Sequence, residues 1–307
     1  MKALRHAFRV KAFKINDPKL RIGKGAPAGL TFSSRRINSH NGSSFVVSDD
    51  PSAYGPFWER LVTGQWEPQT LALLDHLVTS SSLFVDIGAW IGPTTLYAAA
   101  KGANVDAYEC DPIALAILRR NILMNPTLRR HVRVHDFALW DADGVIKMWS
   151  QQLGNSESSI FPLHERGGSL TNCAESFLAP ARSAAAIFKK KRYATMDSTV
   201  IKIDVEGAEF RIIPSLHDII AASQAIWYVS VHELNINPIN LPAHPIRVLE
   251  VVRLLSTFRH LHWYDPGLIE LDKTAVLEAI ATGRWPKQSS FVFASRRLLP
   301  LSATTAK

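Results

Sequence analysis

Long apolar runs, paired cysteines, dense histidine and carboxylate clusters and a complete phosphate-binding glycine motif are all missing from this 307-residue sequence. No stretch reaches the roughly 18 uninterrupted apolar residues that a membrane-spanning helix needs. The opening "MKALRHAFRVKAFKINDPKL" is basic but has no apolar core of a secretory signal. A protein that neither spans a membrane nor is exported by that route is expected. Only Cys110 and Cys173 occur, far apart and without CxxC spacing, which excludes a disulfide scaffold and a cysteine zinc site. A reducing, cytoplasmic setting follows as the expectation, and "NGS" at Asn41 then reads as a polar turn. No metal site is expected.

What is present is ordinary for a globular chain: 47% hydrophobic and 20% charged residues, enough to bury a full core. The formal charge of +8 is spread over local clusters at 119–120, 129–130 and "KKKR" 189–192. It fits either an anionic partner or solvated basic faces. Residues 1–60 are irregular, with loop signals in "GKGAPAG" and "NSHNGSS" and one strand expected at 44–47, and read as an N-terminal extension or cap. "TGQWEPQTLALLDHLV" predicts an amphipathic helix, with Leu71, Leu74 and Leu77 on one side and Pro68 in its first turn.

Strand and helix patterns then alternate through 61–300. Strands are expected at 83–87, at 105–109, in "HVRVHDFAL", in "GVIKMWS", in "STVIKIDVEG", in "AIWYVSVHE", in "HLHWY" and in "SFVFAS". Helices are expected over 94–100, 113–123, 208–220 and 246–258. This predicts an α/β fold, a Rossmann-like sheet of about seven strands with helices on both faces. Residues 150–192, rich in Ser, Gly, Ala and basic residues, interrupt the alternation as an insertion, lid or substrate loop.

The most telling stretch is "SLFVDIGAWIGPTTLYAAAKGANVDAYECDP", residues 82–112. A strand, a glycine turn at the start of a helix, and a second strand ending on an acid build a ligand crevice at the carboxyl edge of a parallel sheet. Gly88 lets backbone approach a ligand, Asp86 offers a polar anchor, and Glu109, 21 residues after Gly88, has the spacing of an acid that meets ribose hydroxyls. Trp90 and Pro93 stand where GxGxxG would have its second and third glycines, and "RIGKGA" near Gly23 lacks the first glycine of a phosphate loop. A pyrophosphate is disfavoured. A ligand with ribose and adenine but no phosphate remains, and S-adenosylmethionine is such a molecule.

"VDIGAWIG" followed by "YECDP" closely resembles the first two cofactor motifs of class I S-adenosylmethionine-dependent methyltransferases, and "IKIDVEGAE", residues 201–209, resembles the signature segment of their FkbM family. The resemblance runs from about Trp66 to His232. It implies Asp86, Gly88, Ala89 and Gly92 around the methionine part, with Trp90 also among the cofactor-binding residues, Glu109 on the ribose, and Asp136, Phe137 and Ala138 near adenine. Trp66 and Glu67 resemble a "WE" element that precedes these motifs, which brings Glu67 to the cofactor as well. The implied acceptor is a hydroxyl on a sugar, glycolipid or polyketide-like metabolite.

Transfer to a hydroxyl needs in-line positioning and removal of a proton. Asp204 and Glu206, at the end of "VIKI", and His232 with Glu233, after "WYVSV", are the candidate catalytic groups. Each also has a structural explanation. Asp204 can cap a helix, Glu206 can sit in its first turn, and a lone histidine at a strand end is commonly just hydrogen-bonded. Asp204, His232 and Glu233 as ligands of a divalent cation is an alternative. So are an RNA methyltransferase, against which the missing NPPY-like tetrapeptide speaks, and a cofactor-binding regulatory protein without catalysis.

Overall fold

The computed structural model describes residues 34–38, 42–49, 54–160, 175–230, 256–264, 268–281 and 290–294. The element order begins with a hairpin of β1 (Ser34–Asn38) and β2 (Ser44–Ser48), then α1 (Gly55–Val62) and α2 (Pro68–Leu77). The α/β core follows as β3 (Leu83–Ile87), α3 (Pro93–Ala100), β4 (Asn104–Tyr108), α4 (Pro112–Leu123), α5 (Pro126–Arg129) and β5 (Val132–His135). Then come β6 (Ala138–Trp140), β7 (Gly144–Ser150), β8 (Glu175–Ser183), α6 (Ala184–Lys191), β9 (Thr199–Ile203), α7 (Glu209–Ser215), α8 (His217–Ala221) and β10 (Ile226–Ser230). The described chain closes with β11 (His260–Tyr264), β12 (Leu268–Glu270), a helix over Lys273–Ala281 and β13 (Ser290–Ala294).

The main sheet has the order β12-β11-β13-β10-β9-β3-β4-β5, so eight strands rather than about seven lie in it among the described residues. The five strands from β10 to β5 are parallel, and the remaining three add antiparallel at one edge. The chain builds outward from β3 to β4 and β5, then crosses back to lay β9 on the other side of β3. That reversal opens a crevice at the carboxyl ends of β3 and β9, where sheets of this kind bind ligands.

Strand alternation sends apolar side chains to both faces. Phe84, Val105 and Val200 pack with Leu96, Leu118, Leu74 and Trp58 on one side, and Val85, Ile201 and Trp227 pack with Phe188, Ile213 and Tyr193 on the other. Burial of all five residues of β9, which reads "TVIKI", explains why it forms a central strand. Leu71 and Leu74 of α2 are buried as the periodicity predicts.

Two expectations are corrected. "GVIKMWS" is not in the main sheet: β7 pairs antiparallel with β8, which pairs with β6 in a separate three-stranded sheet. Period-two patterning marks a strand without saying which sheet it joins. Within 150–192 the described residues form regular structure, β8 and α6, capped where the Ser183 hydroxyl accepts from Ala186 N–H. The helix expected over 208–220 is two short helices, α7 and α8, parted at Leu216, and Pro214 leaves no N–H to carry the first one on. The expected helix at 246–258 lies almost wholly outside the described residues. Among those residues, no helix is long and apolar enough to cross a membrane.

The N-terminal hairpin is fastened to α4 and the start of α5 by side-chain amides. Asn125 accepts from Val46 N–H at 2.7 Å and donates to Val46 O at 2.6 Å. Buried Asn121 accepts from Ser48 N–H at 2.8 Å and donates to Ile91 O of the glycine turn at 2.9 Å. The hairpin thus braces the turn from outside.

Candidate active site

The turn after β3 is shaped by close backbone approach. Gly88 has φ +81°, and a Cβ there would lie 1.9 Å from the Asp204 carbonyl oxygen, so the end of β9 presses directly on the turn. Gly92 has φ +96° and faces Leu118 Cδ1 at 2.6 Å from an added Cβ. Trp90 also adopts a left-handed conformation, with φ +49°. Its indole packs edge-on against Phe57 at 4.5 Å and donates from Nε1 to Gly154 O at 2.8 Å.

The N–H groups of this turn are mostly spoken for. Gly88 and Ala89 both donate to Tyr108 O, at 3.1 and 3.0 Å, Gly92 donates to Ala89 O, and Trp90 donates to Glu109 Oε2 at 2.7 Å. Pro93 has no N–H to offer. A pyrophosphate site needs convergent backbone donors. Here they are turned inward to the protein.

Glu109 stands at the end of β4 with Oε2 on Trp90 N–H and Oε1 on Asp111 N–H, each at 2.7 Å. The Cys110 backbone N–H also bonds this carboxylate, which leaves one of its roughly four acceptor sites for a ligand hydroxyl. Burial pushes this carboxyl up to about 7, against the opposing effect of the Asp111 backbone bond. A raised acid favours the folded state most when protonated, so this group's contribution falls as pH rises from 4.5 through 7. Denaturation at pH 5 and pH 8 is expected to show a stability loss of roughly 1–2 kcal/mol that Glu109→Gln removes, a figure discounted from about 1.4 kcal/mol per pK unit because the carboxylate partly faces solvent. Equal pH slopes in the two proteins would refute that role.

Asp86 is fully buried rather than open to the cleft. Its Oδ2 accepts from Thr94 Oγ1 at 2.7 Å and Thr95 Oγ1 at 2.6 Å, and its Oδ1 lies 3.4 Å from Lys202 Nζ. Lys202 is the group that sequence reasoning passed over. Its ammonium also sits 3.1 Å from Asp204 Oδ2 and donates to Gly88 O at 3.3 Å, with only 4% of the side chain exposed. Burial opposes its charge, but Asp204 and Asp86, aided by Glu67, hold its pKa above the ordinary lysine value. One cation therefore ties the glycine turn, Asp86 and Asp204 together. The signal for it was a single charge inside an otherwise apolar strand, "TVIKI".

A cleft of about 640 Å³, counting space open to solvent, lies over these strand ends. Of the expected site residues, Gly88, Trp90, Glu109, Phe137, Ala138, Asp204 and Glu206 line it. Asp86, Ala89, Gly92, Glu67 and Asp136 are not among its lining residues. Ala89 is buried and shapes the turn through its backbone. Glu67, at φ +36°, accepts from Thr70 Oγ1 at 2.8 Å beside α2. Asp136 is turned outward to Arg119 Nη2 at 3.0 Å and is 61% exposed. His232 and Glu233 lie outside the described residues. Among the described lining residues are four carboxylates, Glu109, Asp111, Asp204 and Glu206, and no Lys, Arg or His. Leu139, Ile146, Met148 and Ile212 add an apolar part to the lining. No group of three or more potential metal ligands occurs among the described residues.

No protein-family model matches this chain, and no curated protein does. Among solved structures, the chain is similar to the methyltransferase FkbM of Methylobacillus flagellatus at 17% identity and a TM-score of 0.38, over 70% of this chain and 44% of that one. It is similar to an O-methyltransferase of Bacillus cereus in complex with SAH at 15% identity and a TM-score of 0.38, over 74% and 78%. A TehB-like SAM-dependent methyltransferase of Corynebacterium glutamicum is similar at 10% identity and a TM-score of 0.35, over 78% and 94%. The chain thus spans less than half the length of the Methylobacillus protein. Ligand and substrate rest on the residues of the site alone.

Proposed function

We propose that this protein is an S-adenosylmethionine-dependent methyltransferase acting on a hydroxyl of a small-molecule or glycan acceptor. The observation that carries the reading is the acidic lining of the cleft: Glu109, Asp204 and Glu206 with no basic residue among its described lining, Asp111 being engaged by α4 and the 154–158 segment and Lys202 lying behind Asp204. Such a surface suits a ligand bearing a sulfonium and an ammonium and repels phosphates, because like charges in a partly desolvated site are costly. The inward-turned N–H groups of the glycine turn weigh against a pyrophosphate in the same direction. Nothing in this lining suits an RNA backbone, which needs Lys and Arg contacts.

The cofactor, when bound, supplies an electrophilic methyl group. The chain's own residues position it. Glu109 accepts a ribose hydroxyl, while the backbone at Gly88 comes close beside it. Asp86 acts indirectly, holding Thr94, Thr95 and Lys202 in place rather than touching the ligand. Asp204 and Glu206 face the acceptor side. The Lys202 ammonium pairs with Asp204 at 3.1 Å and fixes its carboxylate, so that it serves as an acceptor for orienting the attacking hydroxyl. Glu206, whose carbonyl is held by the Ser159 hydroxyl, is then the described group left to take the proton. No step requires a metal ion.

The reading is tested with labelled S-adenosylmethionine against extracts fractionated into glycolipid, glycan, small-metabolite and RNA pools. Transfer into a glycan, lipid or metabolite pool, unaffected by EDTA, is expected. With that acceptor, Asp204→Asn is expected to lower single-turnover transfer at least tenfold with cofactor affinity nearly unchanged, an effect of about 1.4 kcal/mol on the barrier. Near-normal transfer removes Asp204 from the reaction, and loss with EDTA restored by magnesium replaces the metal-free mechanism.

A further inference from the structure

Resting on that cofactor reading, we propose that the segment 154–158 grips the base end of the cofactor rather than the acceptor, with Asn155 as a specificity-determining contact. Asp111, two residues beyond Glu109 and 1% exposed, fastens this segment to the cofactor side of the cleft. Its Oδ1 caps α4 through the N–H groups of Ile113 and Ala114. Its Oδ2 accepts from Gly154 N–H at 2.9 Å and from Ser158 Oγ at 3.0 Å. The Gly154 carbonyl in turn accepts from Trp90 Nε1 at 2.8 Å and Tyr54 OH at 3.2 Å. With φ +88°, and with an added Cβ only 2.6 Å from Tyr54 OH and 2.7 Å from Ile113 Cγ2, Gly154 admits no side chain. The segment is therefore clamped to the glycine turn and to the start of α4, both parts of the expected cofactor site.

This clamp places Asn155, Ser156 and Ser158 in the lining of the same cleft that Ala114 and Phe137–Leu139 line. A base attached to a ribose held by Glu109 would be received by this shared lining. The acid that the sequence pattern assigns to adenine, Asp136, is engaged outside with Arg119. Polar recognition of the base then falls to the segment itself. Asn155 Oδ1 already accepts from Ser156 N–H at 2.7 Å and from Ser156 Oγ at 3.3 Å, which leaves Nδ2 to donate to a ring nitrogen of the base.

The probes are S-adenosylhomocysteine and 5′-methylthioadenosine, which shares the base and ribose but lacks the amino-acid part. Calorimetric titration of Asn155→Ala is expected to show both ligands weakened by the same factor, about 3- to 10-fold, the worth of one hydrogen bond. Asn155→Asp keeps the bond to Ser156 N–H but turns the donor into an acceptor, and an equal or larger loss is expected. Unchanged affinity for methylthioadenosine in either variant overturns the proposal, as does a loss seen in Asp136→Ala instead. Those failures leave the cofactor reading standing. Wild-type protein that binds neither probe refutes both.

Discussion

Replacing Gly88 by alanine is expected to destabilise the fold by more than about 4 kcal/mol, the range reached only by changes with a specific structural cause. Two effects act together. A non-glycine residue at φ +81° costs roughly 1–2 kcal/mol in backbone strain. The greater cost is the clash of the new Cβ with Asp204 O at 1.9 Å, which is relieved only by moving β9 away from β3 and breaking the Asp204 N–H bond to Ile87 O. Gly144→Ala is the matched control, since nothing lies within 4 Å of a Cβ there. Urea denaturation of the pair should show Gly144→Ala within about 1 kcal/mol of wild type and Gly88→Ala far below it or unfolded. Similar midpoints for the two would mean that the turn and β9 are not in the contact described.

Lys202→Met is the second large effect. It removes the ammonium between Asp86 and Asp204 and leaves a fully buried carboxylate without its cation, which typically costs about 3–5 kcal/mol. The loss should depend on the acid it strands. In the double variant Lys202→Met with Asp86→Asn, the amide oxygen still accepts from Thr94 and Thr95, while the uncompensated charge is gone. A double-mutant cycle is therefore expected to return a coupling of roughly 1–3 kcal/mol, with the double variant more stable than the sum of the singles. Simple additivity would show that Lys202 and Asp86 do not act as a pair.

Much of the core was legible because it rests on local rules. "LFVDI", "NVDAY" and "TVIKI" form strands, and Pro68, Pro93 and Pro112 stand at the first positions of α2, α3 and α4. Glu109 and Gly88 could be named from spacing alone, because strand length and turn geometry fix how far apart they fall. Long-range placement was not legible. Nothing local distinguishes β7, which leaves for a separate sheet, from a strand of the main one. Asp86 read as a ligand contact since it ends a strand, yet Thr94 and Thr95 at the start of the next helix capture its carboxylate. Lys202 hid inside a motif that otherwise draws the eye to its acids. The fastening of Gly154 to Asp111 joins residues 43 apart in sequence, and no pattern announces it.

The central claim is that the acidic cleft over Gly88 and Glu109 holds S-adenosylmethionine, and titration calorimetry of the full chain with S-adenosylhomocysteine tests it most directly. Binding of one molecule per chain, a melting temperature that rises with ligand concentration, weaker binding in Glu109→Ala, and no response to NAD are expected. Absence of binding to S-adenosylhomocysteine, or an equal response to NAD, would contradict it.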